Sequence, residues 1–234
     1  MKIKNIALVF LCLSYLFGGN INQQLRIAGK NKKEIKKALR KAPKDQREGM
    51  HWLIKNMPEE DLKSVTSEFL LENCELAYKA REEAPWGQEI PEDVFFAYVL
   101  PFANLNEKRE NWRKDFYYRF SDIMRNSASA YQATARLNNE MFEMVGVSYS
   151  TKRPKADQAP YESMDAGLAS CTGLSILLID ACRSIGVPAR FVGTPMWYNN
   201  SGNHSWVEIW DDGWHLQVLM NQREINLMMV GLLA

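Results

Sequence analysis

The chain is poor in the residues that hold metals. Three histidines and four cysteines stand among 234 residues. No two of them lie at ligand spacing, which excludes the common Cys/His zinc patterns and leaves no cofactor site to expect. An excess of one charge is missing too: a formal net charge of +1 gives no basic footprint for nucleic acid. Two local imbalances, basic over 30–44 and acidic over 59–83, fall at helical spacing and read as solvated faces. The apolar run over 6–17 falls short of the roughly 20 residues a membrane-spanning helix needs. No internal repeat is evident. What the chain does have is 46% hydrophobic residues, enough for one sizeable core and a helical subdomain.

The short apolar run follows Met1-Lys2-Ile3-Lys4, a positively charged start, so residues 1–19 read as an export signal or lipoprotein signal. The protein is therefore expected in the periplasm, in the cell envelope or outside the cell. Two processing routes are open. Cys12, preceded by Val9-Phe10-Leu11, is a candidate for lipid attachment, although the apolar run before it is short and Phe10 fits poorly; a lipid there would be the chain's link to a membrane. Cleavage nearer Gly18-Gly19 would release a soluble product, although Phe17 is bulky for a small-residue cleavage site. An oxidising compartment permits disulfides. Cys74 with Cys182 is the pair to consider, though sequence spacing does not supply their distance.

Residues 20–147 read as a helical region. The segments 31–41, 46–56, 61–81 and 112–144 lack internal proline and carry apolar residues at helix-compatible intervals, while Pro43, Pro58, Pro85, Pro91 and Pro101 punctuate them. Trp86, Phe95, Phe96, Tyr98, Phe102, Trp112, Phe116 and Tyr117 make an aromatic-rich centre whose first reading is core packing. The stretch 148–160 is polar and broken by Pro154, and reads as a loop draped near the site described next.

Ser170-Cys171-Thr172-Gly173-Leu174 opens an apolar helix. Its spacing places Leu174, Leu177, Leu178, Ala181, Cys182 and Ile185 on one face, as a stripe buried against a sheet. Cys171 then sits at the first turn, where unpaired backbone N–H groups and the positive end of the helix dipole favour a thiolate. Gly186 ends the helix, Pro188 follows, and 189–192 reads as a strand. Gly202-Asn203-His204 leads into 205–210, which alternates polar and apolar residues, and Asp212-Gly213 signals a tight hairpin into Trp214 and His215. A cysteine at a helix start and a histidine entering a strand are how a thiol nucleophile and its base are commonly presented. Cys74 and Cys182 read as core residues, and His51 and His215 as structural.

Three linked segments, the Cys-Thr-Gly-Leu-Ser-Ile-Leu-Leu helix, Gly-Val-Pro-Ala-Arg and Asn-His-Ser-Trp-Val-Glu, together resemble the transglutaminase-like superfamily of papain-like cysteine enzymes over roughly residues 160–215. The resemblance implies an α+β fold, in which the helical region precedes a core over 148–234 whose cysteine helix packs on an antiparallel sheet. It implies a thiol enzyme acting on amide or peptide bonds through Cys171 and His204, with peptide, protein or glycopeptide as substrate. By family analogy, hydrolysis is favoured over cross-linking for a secreted bacterial member. Gln158 and Tyr161, upstream of the cysteine, are the candidates for a side-chain oxyanion donor, and Trp197 and Tyr198 for shaping the substrate cleft.

The resemblance also implies a third group that orients the histidine, supplied by the strand after it. Here the chain departs from the pattern. Asp211 and Asp212 lie in the hairpin turn and are expected to point to solvent, which leaves Glu224 as the acid beyond it. The methionine-rich tail is consistent with a shifted reading frame: losing one T after the His215 codon converts His-Phe-Thr-Gly-Ala-Asp-Glu-Pro into the present His-Leu-Gln-Val-Leu-Met-Asn-Gln. On that reading the last strands of the core are incomplete. The alternative class is a non-catalytic binding or scaffold protein, or an inactive truncated product, with the same fold.

Overall fold

The computed structural model describes residues 20–196 and 202–217. Cys12, Trp197, Tyr198 and Glu224, with the expected leader and tail, lie outside the described residues. Among those described, no helix is long and apolar enough to cross a membrane. The fold is α+β, with helices α1 (Ile21–Ile27), α2 (Lys32–Lys41), α3 (Arg47–Lys55), α4 (Glu59–Ser64), α5 (Ser67–Glu83), α6 (Glu92–Tyr98), α7 (Trp112–Arg125) and α8 (Ala130–Met144) leading the chain. Then come β1 (Ser148–Tyr149), α9 (Pro160–Ala166), β2 (Leu168–Ala169), α10 (Cys171–Ser184), β3 (Ala189–Thr194), β4 (His204–Trp210) and β5 (Trp214–Gln217).

Two helices expected as single pieces are each divided. The run over 61–81 breaks between α4 and α5, where Thr66 turns extended and its hydroxyl accepts the Phe69 N–H at 3.1 Å. The run over 112–144 breaks between α7 and α8, where Ser129 Oγ accepts the Gln132 N–H at 3.3 Å. Neither break needs proline. A Ser or Thr that satisfies the open N–H groups of a new first turn competes with continuing the old helix.

α10 is the centre of the molecule. Its expected apolar stripe, Leu174 through Ile185, is buried, yet every residue from Gly173 to Ser184 is buried as well. The helix is thus enclosed on all sides, by α5, α7, α8 and α9 as well as by β3 and β4, and is not merely laid on a sheet. The eight aromatics of the helical region join the same core, with Tyr98 packed at its margin. Gly186, at φ +78°, closes α10 where a Cβ would stand 2.9 Å from the Ala80 carbonyl oxygen, so both conformation and space demand glycine. Trp86 Nε1 donates to the Gly186 carbonyl at 3.1 Å and pins that end to the helical region.

The main sheet is β3-β4-β5, antiparallel throughout. Along β4 the inward residues Ser205, Val207 and Ile209 are buried while His204, Trp206, Glu208 and Trp210 are half-buried, the alternation expected of a strand with one face on a core. Asp212, at φ +53°, and Gly213 make the hairpin turn. Asp211 does not point to solvent: its carboxylate accepts the Tyr131 N–H at 2.9 Å, in the first turn of α8, where the helix dipole favours a negative charge. A second, two-stranded parallel sheet pairs β1 with β2, so the start of the expected 148–160 loop is a strand running beside the approach to Cys171.

Candidate active site

Cys171 is the first residue of α10. Ser170 caps the helix from an extended conformation: its Oγ accepts the Gly173 N–H at 3.1 Å and donates to the Ala156 carbonyl at 2.6 Å. One hydroxyl therefore starts the helix and fastens the 150–159 loop to it. The Leu174 N–H goes to the Ser170 carbonyl at 2.9 Å. The Cys171 and Thr172 N–H groups have no partner within the helix, as first-turn geometry requires, and are available to a ligand oxygen.

His204 opens β4, opposite Thr194 on β3, and its ring lies 6.3 Å from that of Trp206. The Cys171 thiol is half-buried. Burial pushes its pKa up, but the His204 side chain and the hydroxyl and backbone N–H of Ser205, together with the charge of His204, outweigh burial and bring it from 9.0 to about 7. The nucleophile and base read from the sequence thus meet in the structure. The other described cysteines behave oppositely: burial pushes Cys74 and Cys182 up to about 12. All three are free, so the Cys74–Cys182 disulfide is not formed; Cys182 Sγ instead lies 3.7 Å from Thr134 Oγ1.

The oxyanion donors considered upstream are committed elsewhere. Gln158 is buried, and its amide nitrogen donates to the carbonyls of Glu162 at 3.2 Å and Leu168 at 3.0 Å, which uses both hydrogens. Tyr161 directs its hydroxyl to the Asn111 carbonyl at 3.5 Å. Gln158 thus braces the α9–β2 turn, and Tyr161 ties α9 to the residues just before α7. His215 is exposed, with Nε2 2.7 Å from the Asp211 carbonyl and its ring edge-on to Tyr131. His51 is exposed on α3, beside a surface cavity it lines with Glu48, Trp52 and Glu92.

Two features escaped the sequence reading. Ser205 is a polar residue at an inward strand position, which is itself the signal that could have found it. Behind the site, a buried polar cluster holds the far end of α10. Arg113 donates to Asn73 Oδ1 at 2.6 Å and to the Arg183 and Val99 carbonyls, each at 2.9 Å. Arg183 donates to the Tyr98 and Ala189 carbonyls, each at 3.0 Å. Asp180 accepts from Asn104 at 2.9 Å, and burial, reinforced by Glu107, holds its carboxyl well above the usual range.

Comparison with family models points to one family. Residues 119–216 match the model of the transglutaminase-like superfamily. No curated protein matches the chain. Among solved structures, the chain is similar to a candidate cysteine protease from Cytophaga hutchinsonii at 18% identity and TM-score 0.46, over 62% of this chain and 47% of that one. It is also similar to the periplasmic domain of TgpA from Pseudomonas aeruginosa, bound to ethylmercury, at 16% identity and TM-score 0.43, over 59% of this chain and 52% of that one. The chain thus spans about half the length of each structure. The stretch that carries Cys171 and His204 belongs to the transglutaminase-like superfamily.

Proposed function

We propose that the protein is a thiol enzyme that hydrolyses amide or peptide bonds, with Cys171 as nucleophile and His204 as base. The observation that carries this reading is a thiol held at about 7 by His204 and Ser205 in front of a helix N-terminus. A thiol lowered to about 7 is ionised at neutral pH to a far greater extent than an ordinary cysteine, which is only a few per cent thiolate there. The sulfur attacks the carbonyl carbon, and the Cys171 N–H receives the developing oxyanion. His204, carrying the proton taken from the thiol, delivers it to the leaving nitrogen as the C–N bond breaks. Water then attacks the thioester with His204 as base; the C–S bond breaks and the proton returns to sulfur.

The substrate class is a peptide, protein or glycopeptide, and family analogy favours water over an amine as the second nucleophile. Trp197 and Tyr198 remain the candidates for the cleft wall and Glu224 for the third residue. The leader favours action outside the cytoplasm, with Cys12 as a possible lipid site. The test is amide turnover on a fluorogenic peptide library by the wild-type protein, Cys171→Ala and His204→Ala. Turnover that survives Cys171→Ala would reject the reading. A wild-type protein that binds peptides without cleaving them would favour a scaffold with the same fold.

A further inference from the structure

Ser205 holds the second position of β4 on the face turned toward α10, and it is 2% exposed. Val207 and Ile209, which share that face, are apolar and completely buried. A hydroxyl among them loses its water and is retained only where it finds another partner. Within the described residues, Ser205 Oγ has no partner of ordinary hydrogen-bond geometry. The neighbouring strand offers none: the residue opposite is Gly193, whose Cβ, if it had one, would lie 3.7 Å from the Ser205 Cβ and 3.2 Å from the His204 carbonyl oxygen. The face it occupies packs on α10, and the Ser205 hydroxyl and backbone N–H act with His204 to lower the pKa of the Cys171 thiol at the first turn of that helix.

We propose that Ser205 is a positioning residue for the nucleophile: its buried hydroxyl, with the backbone N–H beside it, donates to the Cys171 sulfur and holds the thiolate in place independently of His204. The proposal rests on the reading of Cys171 as nucleophile and explains why a polar side chain occupies an inward position. A hydroxyl suits both states of the sulfur, because it donates to the thiolate and can rotate to accept from the thiol. An alanine there would leave the sulfur facing hydrocarbon, which favours the neutral form. A sulfur that keeps a donor is also a better leaving group, so the same hydroxyl assists the second half of the reaction, when the thioester C–S bond breaks.

The test is the pH profile of Cys171 alkylation by iodoacetamide, read by mass spectrometry, in the wild-type protein, Ser205→Ala, Ser205→Gly, Ser205→Thr, His204→Ala and the His204→Ala/Ser205→Ala double variant. Circular dichroism checks the fold of each. In Ser205→Ala the inflection should rise by about half to one pH unit, slowing alkylation at neutral pH about two- to fivefold. Ser205→Gly, which adds no methyl to the inner face, should do the same, while Ser205→Thr, which keeps a hydroxyl, should retain the wild-type inflection. The double variant should lie above His204→Ala. An unchanged inflection in the alanine and glycine variants would overturn the proposal, as would an equal rise in the threonine variant. A wild-type inflection in the ordinary cysteine range would instead reject Cys171 as the poised nucleophile.

Discussion

Cys171 and Cys182 stand at opposite ends of α10, built into one helix from one residue type, and the protein makes different chemistry of them. At the first turn the open N–H groups of the helix point outward, and β4 brings His204 and Ser205 against the sulfur, which settles at about 7. At the far end the Thr134 hydroxyl lies 3.7 Å from the Cys182 sulfur, and burial pushes that thiol up to about 12. Polar groups are no scarcer there. Arg113, Arg183 and Asp180 crowd the same turns, but the two arginines are spent on backbone carbonyls and on Asn73. What separates the two thiols is therefore how far burial is offset by groups that face the sulfur: the donors and charge of His204 and Ser205 at one end, arginines committed elsewhere at the other.

The largest effect should be the contrast itself. At neutral pH, in the folded protein, Cys171 should be alkylated about ten-thousandfold faster than Cys74 or Cys182, from their thiolate fractions and burial. Quantitative mass spectrometry before and after unfolding checks this; equal rates in the folded state would erase the distinction between the two ends.

Next in size is the orientation of the base. β4 and β5 pair from Val207 with Gln217 to Trp210 with Trp214. The shifted frame encodes an aspartate at position 220, a candidate for the group that orients His204. Genomic DNA should then read Thr-Gly-Ala-Asp-Glu-Pro after codon 216, and protein made from the repaired frame should turn over amide about a thousandfold faster. Codons that forbid the shifted reading would dismiss this idea and leave Glu224 to be tried.

A smaller change isolates the base. His204→Ala should slow Cys171 alkylation at neutral pH about tenfold, because the lost hydrogen bond and charge both favour the thiolate. His215→Ala should leave it unchanged, and an effect of His215 equal to that of His204 would displace the base.

The smallest effect belongs to the far end. A carboxyl whose folded pKa is raised contributes stability that is complete below its unfolded value and is lost as pH rises toward the folded one. Asp180 therefore weakens the fold as pH rises above about 4. Asp180→Asn keeps the oxygen that accepts from Asn104 and removes the charge, so its melting temperature at neutral pH should exceed the wild type by about 2–4 °C, with no such gain in acid. Parallel melting curves across pH would show that Asp180 ionises without penalty.

The local geometry at the first turn of α10 and along β4 was legible because its signals are local. Ser170 ahead of Cys171, the alternation through 205–210 and the Asp212-Gly213 turn each lie within a few residues of what they determine. The breaks at Thr66 and Ser129 are marked only by the capping residues themselves, and a helix-compatible apolar pattern without proline gives no other reason to divide the helix. The far end was opaque for a different reason. Arg113 meets Asn73 and Arg183, and Asp211 meets Tyr131, only once distant segments have been brought together. Gln158 illustrates the same limit: its amide is a plausible donor by position, and only the fold reveals the two carbonyls that consume it.

The Ser170 hydroxyl, shared between the Gly173 N–H and the Ala156 carbonyl, makes the loop before α9 part of the circuit that ends at the sulfur. Whatever draws that loop away, a partner or a proteolytic nick among its exposed residues, takes a hydrogen-bond acceptor from the cap. The serine is then free to turn, and the first turn of the helix loosens. The placement of Cys171 in this sense depends on a segment that precedes α9 in the chain.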